Sequence, residues 1–148
     1  MTRADLLALL VVATASGLGA QRPPVRTIAV GDTVADTLRK RDHLLPRDST
    51  YAREWEIAGR RDAVVTVDLV SDSFDAYLIV YGPGLAQGGL QDDDSGGHCN
   101  ARITVRFPES GAYHIAVTTA DKHQTGPFVL AVTSGAKAPS LERCRRTR

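Results

Sequence analysis

Ala101-Arg102-Ile103-Thr104-Val105-Arg106-Phe107 alternates without a break. Ala101, Ile103, Val105 and Phe107 form one face, and Arg102, Thr104 and Arg106 the other. A period of two over seven residues is the signature of a strand with one buried side, because successive side chains of an extended chain point to opposite faces. Downstream, Gly111 turns the chain, and Tyr113, Ile115 and Val117 then alternate with His114, Ala116 and Thr118. After a loop with Asp121 and Gly126 comes Phe128-x-Leu130-x-Val132. The three segments read as consecutive antiparallel strands.

Upstream the same grammar recurs. Thr33–Leu38 follows the turn Gly31-Asp32, and Tyr51–Ile57 sets Trp55 and Ile57 against Glu54 and Glu56. Val64–Val70 places Val65, Val67 and Leu69 inward with Thr66 and Asp68 outward, and Tyr77–Tyr81 is apolar on both faces, as a central strand would be. Seven or eight short strands in about 110 residues, with no helical periodicity after residue 21, predict an all-β chain: a jelly-roll-like antiparallel β-sandwich of about eight strands. The expected organisation is a signal peptide over 1–20, an extended lead-in over 21–30, the sandwich over 31–134 and a C-terminal tail over 135–148.

The signal-peptide reading rests on Thr2-Arg3, the apolar run Leu6–Ala15 and the small residues from Ser16 to Ala20. A run of ten residues, apolar but for Thr14, matches a signal-peptide core and is too short to cross a bilayer. Cleavage after Ala20 is expected, with Ala15 as the alternative, and the mature chain is expected to be secreted or periplasmic. No later segment could span a membrane, and neither cysteine lies before residue 99, so a lipid anchor near the cleavage site is not expected. In an oxidising compartment the two cysteines, Cys99 and Cys144, predict one disulfide that ties the tail back to the loop after Asp94.

Several function classes fall away on composition. A net charge of +1 lacks the basic excess that nucleic-acid binding requires, and Arg143, Arg145, Arg146 and Arg148 read as a solvated terminal tail. There is no His-Glu-x-x-His, no Gly-x-Ser-x-Gly and no phosphate-cradling glycine loop. A thiol nucleophile needs a base facing it, and the neighbours His98 and Cys99 would point apart. The enzyme alternative is a small hydrolase using His98 or His114 with an aspartate; the expectation is that the chain is not an enzyme. Of the eight aromatic residues, Trp55, Phe107, Tyr113 and Phe128 fall on core faces. Tyr51, Tyr77 and Tyr81 remain as surface platforms or edge filler.

The order of blocks resembles the bacterial pre-peptidase C-terminal domain family. The blocks are Asp48-x-x-Tyr51-x-x-x-Trp55-x-Ile57, Val65-x-Val67-x-Leu69, Ser73-Phe74-Asp75-Ala76-Tyr77-Leu78, Asp92-Asp93-Asp94 and Asn100-Ala101-Arg102-Ile103. Pro108–Val117 and Gly126-Pro127-Phe128-Val129-Leu130 complete the series, from about Gly31 to Val132. The resemblance implies a jelly-roll-like sandwich of the kind appended to secreted peptidases, where it serves export, substrate attachment or maturation; some members bind collagen and calcium. No peptidase precedes the domain in this sequence, so a stand-alone copy is expected, and the cysteine pair lies outside the general pattern of the family.

The acidic loop is the candidate site. Asp92, Asp93 and Asp94 are adjacent like charges, with Asp75 before the preceding strand and Asn100 after the loop. Such charges need free solvation or a cation, and calcium accepts oxygen ligands from flexible loops. The other reading is a turn capped by Asp75 and a hydrated triplet. Zinc suits the set less well, because its nitrogen ligands would come from the scattered His43, His98, His114 and His123. The expected function is an exported, non-catalytic binding or interaction module whose partner is a protein or an extracellular polysaccharide or matrix. The alternative is a trans-acting escort or inhibitor of a separately encoded secreted peptidase.

Overall fold

The computed structural model describes residues 25–145. The signal-peptide reading of 1–20 lies outside them, as do residues 21–24 of the lead-in and 146–148 of the tail. Ten strands follow one another: β1 (Arg26–Thr27), β2 (Thr33–Leu38), β3 (His43–Leu45), β4 (Thr50–Gly59), β5 (Val64–Val70), β6 (Ala76–Tyr81), β7 (Leu90–Asp92), β8 (Ala101–Arg106), β9 (Gly111–Thr119) and β10 (Gly126–Ser134). The seven longer ones coincide with the alternating segments. The three short ones carry no period of two over their two or three residues, so the sequence pattern does not reveal them.

The strands form a jelly-roll-like sandwich. One sheet has the order β1-β4-β9-β6-β7, with β3 also on β4; the other has the order β2-β10-β5-β8. Every pairing is antiparallel except β1 on β4. The chain changes sheet at every step except β3–β4 and β6–β7, so the two layers are interwoven.

The inner faces make the core. Trp55, Ile57, Leu78, Val80, Tyr113, Ile115 and Val117 from the larger sheet meet Leu38, Val67, Leu69, Ile103, Val105, Phe128, Leu130 and Val132 from the smaller. All are buried, and each such side chain contributes about 1.5–3 kcal/mol by leaving water. Trp55 and Phe128 meet edge-on across the layers at 5.8 Å, an arrangement that aromatic quadrupoles favour.

A buried charge cluster ties the layers as well. Arg53 sits on the inner face of β4 with only 8% of its side chain exposed. Its guanidinium pairs with Asp36 of β2 and, at 3.0 Å, with Asp42 of the following loop. Asp42 in turn accepts from the Arg39 N–H at 2.6 Å.

One end of the sandwich is closed by Tyr113. Its hydroxyl lies 2.7 Å from the carbonyl oxygen of Pro83 and 2.9 Å from that of Glu109, and accepts from the Glu109 N–H. The ring is held between the backbones of Gly59 and Gly82, where a Cβ would stand 2.5 Å from a ring carbon in either case. Only glycine permits that approach.

The tail is more than a pinned end. Gly135 N–H bonds the carbonyl of Val64, and the chain then crosses the outer face of the smaller sheet towards its opposite end. Thr66 donates to Gly135 O and accepts from Lys137 N–H; Arg102 donates to Ala138 O; Lys137 Nζ reaches Asp68 at 2.7 Å. Ser140 N–H then bonds Ser95 O, and Cys144 closes the path by a disulfide with Cys99. Thr66 and Asp68 do point away from the core, as the alternation predicts, but they are buried rather than solvated, because this strap covers them.

Candidate functional site

The acidic loop follows β7 and ends at β8. Asp92 is held by its neighbours: Oδ2 accepts from Ser95 N–H at 3.0 Å and from Arg102 N–H at 2.8 Å, and Oδ1 accepts from the Ser95 hydroxyl. An aspartate bonding the backbone three residues on is a turn-forming device. The bond to Arg102 also satisfies an amide on the edge strand β8. Asn100 is used in a similar way, accepting from Ser71 N–H at 3.0 Å and so linking the start of β8 to the β5–β6 turn.

Asp93 and Asp94 are exposed. Partial burial first, then the charges of Asp93 and Asp92, hold the Asp94 carboxyl above the usual range. Asp75 lies at the disulfide, with Oδ2 3.9 Å from Cys144 Sγ. Asp75, Cys99 and Cys144 are the three metal-ligating types whose donor atoms fall within 4.8 Å of one another among the described residues. Both sulfurs are committed to the disulfide, so they offer no thiolate.

Calcium needs six to eight oxygens at about 2.3–2.6 Å. Of Asp75, Asp92, Asp93, Asp94 and Asn100, the Asp92 and Asn100 oxygens already accept backbone N–H groups and Asp75 lies beside the sulfurs. The expected melting temperature is therefore the same in EDTA and in millimolar calcium. A cation at 100 times its dissociation constant would add about 2.7 kcal/mol, a rise of several degrees. Such a rise, abolished by Asp93→Asn with Asp94→Asn, would show that the loop rebuilds itself around the ion.

The four histidines remain scattered, and those considered for catalysis face carboxylates. His98 Nε2 is 2.7 Å from Glu142, and His114 Nδ1 is 3.4 Å from Glu54. Cys99, in the disulfide, is not a nucleophile.

The two outer faces differ sharply. The strap covers the part of the smaller sheet's outer face around Thr66 and Asp68 and leaves Ala35, Val70 and Val129 exposed, whereas on the larger sheet, which has no strap, Glu54, Ala58, Tyr81, Gln91 and Ala112 are exposed. Register explains how this open face is composed. Across β4, β9 and β6, Glu54, Ala116 and Ile79 form one row, and Glu56, His114 and Tyr81 the next. Tyr77 lies one row beyond Ile79 and donates to Gln91 of β7 at 2.6 Å. Tyr81 stacks on His114, with centroids 5.0 Å apart and planes 16° from parallel, and its hydroxyl donates to Glu54. Burial, then Asp93, Asp48 and Asp92 in that order, push the Tyr77 phenol above its ordinary value of 10.0. Of the three tyrosines left over by the sequence pattern, two therefore share this face; Tyr51 lies near His123, its ring centroid 6.2 Å from the imidazole.

Comparison with known structures accords with this architecture. The pre-peptidase C-terminal domain of a collagenase from Bacillus anthracis superposes with a TM-score of 0.51 over 76% of this chain and 99% of that domain, at 16% identity. The chain has the pre-peptidase C-terminal domain fold. A second structure with this fold's layout is PliG of Aeromonas hydrophila, a periplasmic inhibitor of g-type lysozyme. It superposes with a TM-score of 0.52 over 75% of this chain and 97% of its own, at 17% identity. No family model and no curated protein matches the sequence. The chain is thus similar in fold both to a domain of a collagenase and to a periplasmic lysozyme inhibitor.

Proposed function

We propose that the chain is an exported, non-catalytic module that binds a protein partner, and that its action is to escort or restrain a separately made secreted hydrolase. The observation that carries this reading is the asymmetry of the sandwich. On one outer face the protein's own disulfide-anchored strap covers β5 and part of β8 and leaves the row Ala35, Val129 and Val70 exposed; the other carries no such strap and is lined with tyrosine rings and carboxylates. Rings held on rigid strands supply contact area at low entropic cost, which is why aromatic residues are enriched at interfaces. The disulfide fits an oxidising compartment. The two similar structures, the pre-peptidase C-terminal domain of a collagenase and an inhibitor of a lysozyme, support a role beside a hydrolase.

The test is to titrate the oxidised protein into a g-type lysozyme and into a set of secreted peptidases, following turnover and co-elution. Dose-dependent loss of turnover, or a stable complex, is expected with at least one of these enzymes. Unchanged turnover and no complex at micromolar concentrations throughout would overturn the proposal. So would hydrolysis by the protein itself that disappears when His98 and His114 are replaced.

A further inference from the structure

We infer that the open face of the larger sheet is the docking surface, and that the protein partner engages it through arginine or lysine side chains. This rests on the binding reading above and adds the surface and the chemistry of what it holds. The outward positions of β4, β9, β6 and β7 carry Glu54 and Glu56 and no arginine or lysine. The charge that complements this face is therefore positive.

The arrangement is specific to a cation on two counts. Glu54 Oε1 is occupied by the Tyr81 hydroxyl, which fixes the carboxylate on the sheet surface. No hydrogen bond among the described residues takes up Glu54 Oε2 or the Glu56 carboxylate, so two acceptors remain for an incoming guanidinium or ammonium. Charge-assisted hydrogen bonds of that kind are the strong ones. The tyrosine rings add the second count, since a cation over an aromatic face is drawn by the ring quadrupole. Beyond the carboxylate pair, Asp93, Asp48 and Asp92 add negative charge near Tyr77, whose phenol is pushed upward first by burial and next by these carboxylates. A strand face of this breadth suits a segment of protein better than a small ligand, which needs a concave pocket.

The test uses the oxidised chain and three fluorescein-labelled probes: peptides of nine arginines, nine lysines and nine glutamates. The two basic peptides are expected to bind, with affinity falling steeply from low to high salt, and the acidic one not to bind. Amide shifts on binding should concentrate on residues 54–58, 77–81 and 112–116. Glu54→Gln with Glu56→Gln, isosteric changes at the surface, should weaken binding at least about tenfold, while Asp72→Asn should leave it within about twofold. Shifts centred on 92–94, an unchanged affinity in the Glu54→Gln/Glu56→Gln protein, or equal binding of all three probes would overturn the inference. A hydrolase that forms a complex equally well with that double variant would also overturn it, and would leave the binding function standing.

Discussion

Replacing Arg53 by alanine is expected to lower stability by about 3 kcal/mol, the low end of the cost of removing the buried member of an ion-pair cluster. For a domain of this size that is a fall of roughly 10–20 °C in melting temperature. The guanidinium is 8% exposed and joins Asp36, on the smaller sheet, to Asp42 in the loop that leads to the larger. Removing it leaves two part-buried carboxylates with only Arg39, whose guanidinium stands 3.7 Å from Asp36 and whose N–H bonds Asp42, and deletes the packing of the Arg53 aliphatic stem. Thermal and urea unfolding of the variant would measure the loss. The cause is separable, because Arg53→Met with Asp36→Asn removes the charge on both sides and should recover a large part of it. A cost below about 1 kcal/mol for Arg53→Ala would mean that the cluster is solvated and holds nothing together.

Replacing Cys99 and Cys144 with alanine is the second large effect. The bridge spans 45 residues, and the loop-entropy relation puts the ceiling for such a loop near 4 kcal/mol, with about 2–4 kcal/mol the usual range. A local consequence comes with it. Gly97, His98 and Cys99 are successive residues with φ of 82°, 53° and 67°, and left-handed backbone costs a residue with a Cβ about 1–2 kcal/mol. The turn is held by Asn100 N–H on Gly97 O, Gly96 N–H on Asn100 O and Ala76 N–H on Cys99 O, together with the covalent tie. Without the bridge the strap should detach, and hydrogen exchange at Lys137 and Ser140 should accelerate well before the core opens. Equal melting temperatures for the oxidised and reduced protein would contradict this account.

Much of the fold is legible in the sequence, for a physical reason. Wherever one side of a strand is buried, the period of two is forced, and Ala101–Phe107, Tyr113–Val117 and Phe128–Val132 follow it residue by residue. Period-two logic fails where its premise fails. The pairs β1–β4 and β3–β4 are too short to show a pattern. Thr66 and Asp68 obey the alternation yet are buried, because the strap supplies a third layer whose path is written only in hydrogen bonds. Arg53 stands in phase with Trp55 and Ile57, so the pattern itself places a charge in the interior. Its partners, 11 and 17 positions away in sequence, become visible only when the layers close.

The site was less legible than the fold. Three adjacent aspartates read either as a cation site or as a hydrated loop; Asp92 bonds Ser95 and Arg102 within the chain, and the Asp92-x-x-Ser95 spacing is the local signal for that use. The open face carries no motif at all. Glu54, Glu56, Tyr77, Tyr81 and His114 come from three strands far apart in sequence, and only the register brings them into neighbouring rows.

The two poles of the sandwich are fastened by different chemistry. At one, the Tyr113 hydroxyl and two glycines hold three loops without a covalent bond; at the other, the closure depends on sulfur. The chain therefore registers the redox character of its surroundings at one pole only. In a reducing compartment it would not simply unfold: the core would persist with its strap hanging free, baring Asp68 and Arg102. That half-fastened species, distinguishable to a protease from both the finished protein and the random chain, is the form that a reduced copy would present.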